Sequence, residues 1–242
     1  MKKLKIPSNL TSLAYKSIKD YILVGRLGED SRLTEEFLST QLGISKSPIR
    51  EALNRLEAEG LIRIEARRGA YLRSFSLKEV SDLYDLREAL EIHAVRTGNF
   101  SKELFKELHQ NGKRLRQYLK HKEKGEYIDE DMKFHASIAR ATGNAKLCDV
   151  LENLQNQIWL FRRKTYDISS STAADYHEKI LESLEAGDRE RAEKTMREHI
   201  SQVRNKLIDF LETQQQESSA TEAAAVSSES TRPSVPRIAQ RA

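Results

Sequence analysis

Four side chains in the second half of the chain have the types and spacing of a metal-ligand set: Asp131, His135, His177 and His199. His135 follows Asp131 by four residues in a helical stretch, so a carboxylate and an imidazole share one face. His177 lies on an apolar stripe with Ile180, Leu181 and Leu184, and His199 on one with Met196, Val203 and Leu207. Both should therefore point into a helical core. Taken singly, each is a core histidine satisfied by its neighbours. Taken together, one Asp and three His from three helices can hold a divalent cation such as zinc, nickel or manganese. Spacing alone leaves both readings open.

A second set of residues suits recognition of a polyanion. Lys46, Arg50 and Asn54 recur along one face of a helical run, and Ser45 and Ser47 stand at its start. An arginine can take both major-groove acceptors of guanine, while serine hydroxyls and backbone N–H groups hold phosphate. A solvated face on an ordinary helical hairpin would look the same residue by residue.

The elements around this second set favour the nucleic-acid reading. Thr34, followed by Glu35 and Glu36, starts a short helix, because a side-chain acceptor and acidic residues suit its free N–H groups. Gly43 ends it. Ser45 restarts a helix in which Pro48 is tolerated in the first turn, and Gly60 stops it. Ile49, Leu53 and Leu56 form its inner face. Leu61, Ile62 and Ile64, then Ala70, Tyr71 and Leu72, flank Arg67, Arg68 and Gly69 as a hairpin with a basic tip. Two short helices around a tight turn, then a hairpin, make a winged helix-turn-helix.

The run Ser45-Lys46-Ser47-Pro48-Ile49-Arg50-Glu51-Ala52-Leu53, followed by Arg55-Leu56-Glu57-x-Glu59-Gly60-Leu61, resembles the GntR family of bacterial transcription regulators over about residues 10 to 74. That resemblance implies double-stranded operator DNA as partner. It places base contact on Arg50 and Lys46, base or phosphate contact on Ser45 and Ser47, and Arg68 and Gly69 near the minor groove. One departure concerns Glu35 and Glu36, which stand where some relatives carry a basic phosphate contact.

Composition fits a soluble regulator. The chain has 242 residues, 32% of them charged, and no run of 18 apolar residues, so no transmembrane helix is expected. The start, Met1 to Ile6, is basic but lacks the apolar stretch of a signal peptide. The single Cys148 cannot form an internal disulfide and reads as a packed thiol, which fits a reducing cytoplasm. Residues 1 to 76 hold 14 Lys or Arg against 9 Asp or Glu, a net +5, while the remainder holds 27 against 28. The excess marks the N-terminal module as the side a polyanion would meet.

Three segments follow: a winged module over residues 1–75, a helical domain over 76–213, and a disordered tail over 214–242. Ser76-Leu77-Lys78-Glu79 is a capping box that opens the second. Periodicity predicts helices near 77–97, 102–121, 126–141, 144–167, 172–186 and 189–212, with breaks at Gly98, Gly125, Gly143, Ser169 to Ser171 and Gly187, and Asn144 as an N-cap. Short connections make these an antiparallel bundle, so the fold class is mainly α: a winged helix-turn-helix plus an all-α bundle. From Gln214 onward, Gln, Ser, Ala, Thr and Pro dominate, with too little apolar surface to fold.

Asp131-x-x-Phe134-His135, then Gly143-Asn144, His177 and His199, resemble the FCD ligand-binding domain of the FadR subgroup, over about residues 78 to 212. The six-helix count resembles its shorter, VanR-like branch. The resemblance implies a divalent metal on Asp131, His135, His177 and His199, with a small organic acid completing the coordination. Arg87 falls on the inner side of its helix with Leu83 and Leu90, where it could grip that carboxylate or pair with Glu91. The expected function is a ligand-responsive, homodimeric transcription regulator, more often a repressor in this family. Two alternatives stay open: a DNA-binding architectural protein whose bundle only dimerises, and a metallohydrolase, for which no further inward carboxylate is recognisable as a base.

Overall fold

The structure is a computed structural model, and it describes residues 9–24 and 31–229. The basic start of the chain and tail residues 230–242 lie outside the described residues. The winged module comprises α1 (Asn9–Leu23), α2 (Glu35–Leu42), α3 (Lys46–Ala58), β1 (Ile62–Glu65) and β2 (Gly69–Leu72). The sequence reading assigned no element to α1, although Ala14, Ile18 and Ile22 make a helical stripe that is fully buried. Thr34 caps α2 by accepting from the Phe37 N–H at 3.0 Å, and Gly43 ends it with φ 65°. Ser45 begins α3 without a side-chain capping bond. Ile49, Ala52, Leu53 and Leu56 turn the inner face of α3 onto Ile18, Leu33, Leu61 and Ile62.

β1 and β2 pair antiparallel with Glu65 opposite Gly69, and Leu33 adds a third rung through two 2.8 Å hydrogen bonds with Ala70. This rung explains Gly69. Its φ is 108°, and a Cβ there would stand 2.8 Å from the Leu33 carbonyl oxygen.

The second domain holds α4 (Leu77–Thr97), α5 (Lys102–His121), α6 (Lys124–Arg140), α7 (Ala145–Ser169), α8 (Ala173–Glu185) and α9 (Arg189–Glu229), with a single 3-10 turn over Ser170–Thr172. The expected capping box is present: Ser76 accepts from the Glu79 N–H, and the Glu79 carboxylate accepts from the Ser76 N–H at 2.9 Å. α4 packs on α9, α5 on α6 and α8, and α6 on α7. Tyr84, Phe134, Ile138, Leu151, Ile180 and Met196 fill the space between them. Half-buried Cys148 packs at the edge of this core.

Two boundaries differ from the sequence reading. The break before α6 falls at Lys122, which takes φ 57° and donates its N–H to the Leu119 and Tyr118 carbonyls; Gly125 lies inside the first turn of α6. The last helix does not end near residue 212 but continues to Glu229. Ala, Gln and Glu are good helix formers, and neither Gly nor Pro interrupts the run before Pro233. Thus the segment from Gln214 to Glu229 is helical rather than the expected disordered chain.

The two domains touch along α7. Gln157 donates to the Glu59 carbonyl at 3.0 Å, Leu160 packs on the winged core, and Leu23 packs in return beside Tyr127 and Trp159. At the junction Arg73 pairs with Glu79 at 2.5 Å, and the Phe75 ring meets Phe161 edge-on at 5.4 Å.

Candidate metal centre and nucleic-acid interface

α6, α8 and α9 bring Asp131, His135, His177 and His199 to one point. All four are buried, and one ligand atom from each lies within 4.8 Å of the others. His135 Nε2 stands 3.4 Å from His199 Nε2 and 3.8 Å from Asp131 Oδ2, and His177 Nε2 stands 3.6 Å from Asp131 Oδ1. Ligands held at about 2.0–2.1 Å by a tetrahedral cation stand about 3.4 Å apart, so the spacing suits one ion. Several polar atoms of the group also lack protein partners. Asp131 Oδ1, both ring nitrogens of His177 and His199 Nδ1 are buried without a hydrogen bond, a costly state for a core whose only purpose is packing. The His177 ring is fixed by stacking on Phe134 at 3.7 Å, and the His135 and His199 rings lie nearly parallel.

A surrounding layer orients these ligands. Arg162 on α7 donates Nη1 to Asp131 Oδ2, leaving Oδ1 for the centre. Arg87 on α4 donates Nε to Glu91 Oε1 at 2.7 Å, and Glu91 Oε2 meets His135 Nδ1. An ionised carboxylate can only accept, so Nδ1 donates to Glu91 and Nε2 is the ring nitrogen turned to the centre. Burial alone would raise Glu91, but Arg87 and His135 outweigh it and bring its pKa down to about 2. Burial would likewise raise Asp131, yet Arg162 and the nearby histidines hold it well below the usual carboxylate range. Burial pushes His177 down to about 3, and with its two histidine neighbours takes His199 well below its ordinary value. For His177, His199 and Asp131 these directions favour neutral imidazoles and an ionised aspartate, the protonation states a cation requires.

The sequence reading missed two members of this layer. Arg162 shares the inner stripe of α7 with Leu151, Leu154, Ile158 and Thr165, so its position was readable, but a charged residue there passes for an interruption. Glu91 was considered only as a mate for Arg87. It is a further inward carboxylate, contrary to expectation, but Arg87 and His135 occupy it and its low pKa suits an orienting group rather than a base. Arg87 itself forms the Glu91 pair.

On the winged module, Ser45, Lys46, Ser47, Arg50 and Asn54 are all exposed along α3, and Arg68 is exposed on the turn between the strands, with Glu65 at 3.6 Å. Gly69 is half-buried at the root of that turn. Arg50 is not a free cation: Nε and Nη2 donate to the two carboxylate oxygens of Glu35 at 2.7 and 2.8 Å. Among the described residues no helix is long and apolar enough to cross a membrane.

A winged helix-turn-helix with a basic outer face, joined to a helical domain that converges buried ligands on one point, defines a DNA-binding transcription regulator with a sensing domain. Residues 10–72 match the family described as bacterial regulatory proteins, gntR family, and residues 82–202, half of the chain, match the FCD domain. The chain belongs to the GntR family of bacterial regulators, in the subgroup that carries an FCD domain, and it is not an enzyme. It is 28% identical to the gluconate operon transcriptional repressor of Bacillus licheniformis, covering 80% of this chain and 83% of that protein. It is also 28% identical to a probable D-xylose utilization operon transcriptional repressor of Paenarthrobacter nicotinovorans, covering 76% and 84%. Escherichia coli McbR/YncC shares the fold with a TM-score of 0.73 at 22% identity, over 84% of this chain and 98% of the other.

Proposed function

We propose that this regulator acts as a homodimeric repressor whose FCD domain binds one divalent metal through Asp131, His135, His177 and His199, and a small organic acid at that metal. The observation that carries this reading is a buried quartet whose ligand atoms lie within 4.8 Å of one another, three of its residues holding polar atoms without a hydrogen bond. A divalent ion there supplies a positive centre that attracts an anion. The protein's own charges leave that attraction standing, because Arg87 balances Glu91 and Arg162 balances Asp131. A carboxylate is the simplest partner, and gluconate, for which one relative is named, is a carboxylate. Arg87, inward on α4, would receive it with the guanidinium nitrogens not spent on Glu91. Zinc, nickel and manganese all suit an imidazole and carboxylate donor set.

On the DNA side, Arg50 and Lys46 read bases, Ser45, Ser47 and Asn54 contact bases or phosphate, and Arg68 and Gly69 approach the minor groove. Paired α3 helices of a dimer would meet successive major-groove faces of a near-palindromic operator. α7 connects the two ends. It holds Arg162 against the centre and presents Gln157 and Leu160 to the winged module. A ligand with different affinity for two placements of α7 would shift the wings.

Elemental analysis of gently purified protein, with thermal unfolding before and after chelation and after adding zinc, nickel or manganese, tests the reading. One ion per chain and a higher Tm with metal are expected. Protein that carries no metal and gains no stability from any of the three has a bundle that only dimerises, and the histidines are then core residues.

A further inference from the structure

We propose that Glu35 is a positioning residue for sequence reading: it clamps one edge of the Arg50 guanidinium so that the opposite edge is presented to a guanine. The inference rests on Arg50 as the base reader and adds the residue that makes it selective. Arg50 Nε and Nη2 form a two-pronged contact with Glu35 Oε1 and Oε2 at 2.7 and 2.8 Å. A guanidinium is planar and has several donor edges. This pair uses the side edge and leaves the end edge, Nη1 with the second Nη2 hydrogen, facing elsewhere. Those two donors match O6 and N7 of guanine.

The location of Glu35 makes the clamp rigid. It is the first residue of α2, directly after the Thr34 cap, so its backbone is fixed by the capped turn. Arg50 leaves α3 with 64% of its side chain exposed, and no other carboxylate forms an ion pair with it among the described residues. Without the clamp, a long exposed side chain would sample many rotamers, including those that reach a phosphate. Hydrogen bonding to Arg50 also keeps the Glu35 carboxyl below its ordinary value, so it stays ionised at neutral pH. An ionised carboxylate beside the groove repels phosphate. Glu35 therefore weakens binding to every sequence and withholds Arg50 from the backbone, while favouring the one base edge that fits. This also accounts for an acidic residue on a helix that lies beside DNA.

The test uses the full-length protein, a duplex selected from a random pool by the wild type, and the same duplex scrambled, at fixed salt. Glu35→Gln should bind the scrambled duplex more tightly and reduce the selected-to-scrambled affinity ratio by roughly fivefold or more, within the range a bidentate base contact supplies. In an Arg50→Ala background the same change should leave the ratio untouched. An unaltered ratio in Glu35→Gln, with Arg50→Ala still abolishing selectivity, overturns the clamp and keeps Arg50 as an unaided reader. A ratio that survives Arg50→Ala overturns the base-reading role itself. Should Glu35→Gln fail to fold, Arg50→Lys carries the test: it keeps the charge but cannot hold Glu35 and guanine together, so it should lose the ratio and retain scrambled-DNA affinity. Full retention of the ratio would sink the proposal.

Discussion

Arginine–carboxylate pairs occur at both functional ends of this molecule, with the same chemistry and opposite surroundings. Arg50–Glu35 lies on the winged module with side chains 64% and 32% exposed, and Arg162–Asp131 lies in the bundle at 3% and 1%. At the surface, water screens the attraction, so the pair adds little to stability, and its outer guanidinium edge stays open to a further acceptor. In the bundle, neither charge has an alternative. The pair there offsets a desolvation cost that would otherwise fall on each ion alone. The exposed pair is suited to presenting a free donor edge to solvent, and the buried pair to holding a carboxylate oxygen in a fixed direction.

The comparison breaks most readily at the buried end. Arg162→Ala leaves Asp131 as an uncompensated charge in the core, which costs about 3–5 kcal/mol. For a chain of this size that corresponds to a fall in Tm on the order of 10 °C. The measurement belongs on chelated protein, so that a bound cation cannot replace the arginine. A metal-free Tm that stays within about 2 °C of wild type would mean that Asp131 does not depend on Arg162.

The proposed metal ligands give the next largest effect. His177→Ala should lower metal content and most of the stabilisation that added metal confers, while the winged module stays folded and still binds DNA. His121, exposed near the end of α5, is the control, and His121→Ala should change none of these. Equal metal uptake by the two variants would exclude His177 as a ligand.

At the exposed end, Arg50→Ala should reduce operator selectivity on the order of tenfold and leave Tm unchanged. A drop in Tm comparable with that of Arg162→Ala would show that exposure does not separate the two pairs.

The same contrast decides what was legible in the sequence. The α3 face, the wing, the capping box and the inward side of Asp131, His135, His177 and His199 follow from local spacing, whereas α1, the start of α6 and the end of α9 were not placed by it. Arg162 and Glu91 were not legible as orienting groups, because their partners lie 31 and 44 residues away on other helices. Spacing within one helix says that a charge faces inward, but not which charge meets it. Glu35 was read as a helix-start residue and as a departure from a basic phosphate contact; its meeting with Arg50, 15 residues on, needs the angle between α2 and α3. The extension of α9 to Glu229 was missed for a different reason: a lack of core-forming side chains argues against burial, not against helix.

A third pair sharpens the comparison at its weak limit. Arg73 and Glu79 sit at the domain junction, partly exposed and 2.5 Å apart, but the Glu79 carboxylate also accepts from the Ser76 backbone N–H and hydroxyl. Those hydrogen bonds from Ser76, with Arg73 adding to them, lower the Glu79 pKa from 4.5 to about 2. The folded-state value is depressed, so the folded protein binds fewer protons than the unfolded chain between these limits. The stabilisation is therefore fully present above about pH 4.5 and disappears as pH falls towards 2. Solvent screening keeps it to about 1 kcal/mol or less, a Tm difference of no more than about 3 °C between wild type and Glu79→Gln at pH 7. That gap should close on acidification across this window in any solvent where both proteins unfold reversibly. Persistence of the full gap at pH 2.5 would assign it to side-chain shape. A gap that closes in high salt at pH 7 would assign it to Arg73 rather than to the cap, since hydrogen bonds from Ser76 are screened far less than an exposed ion pair.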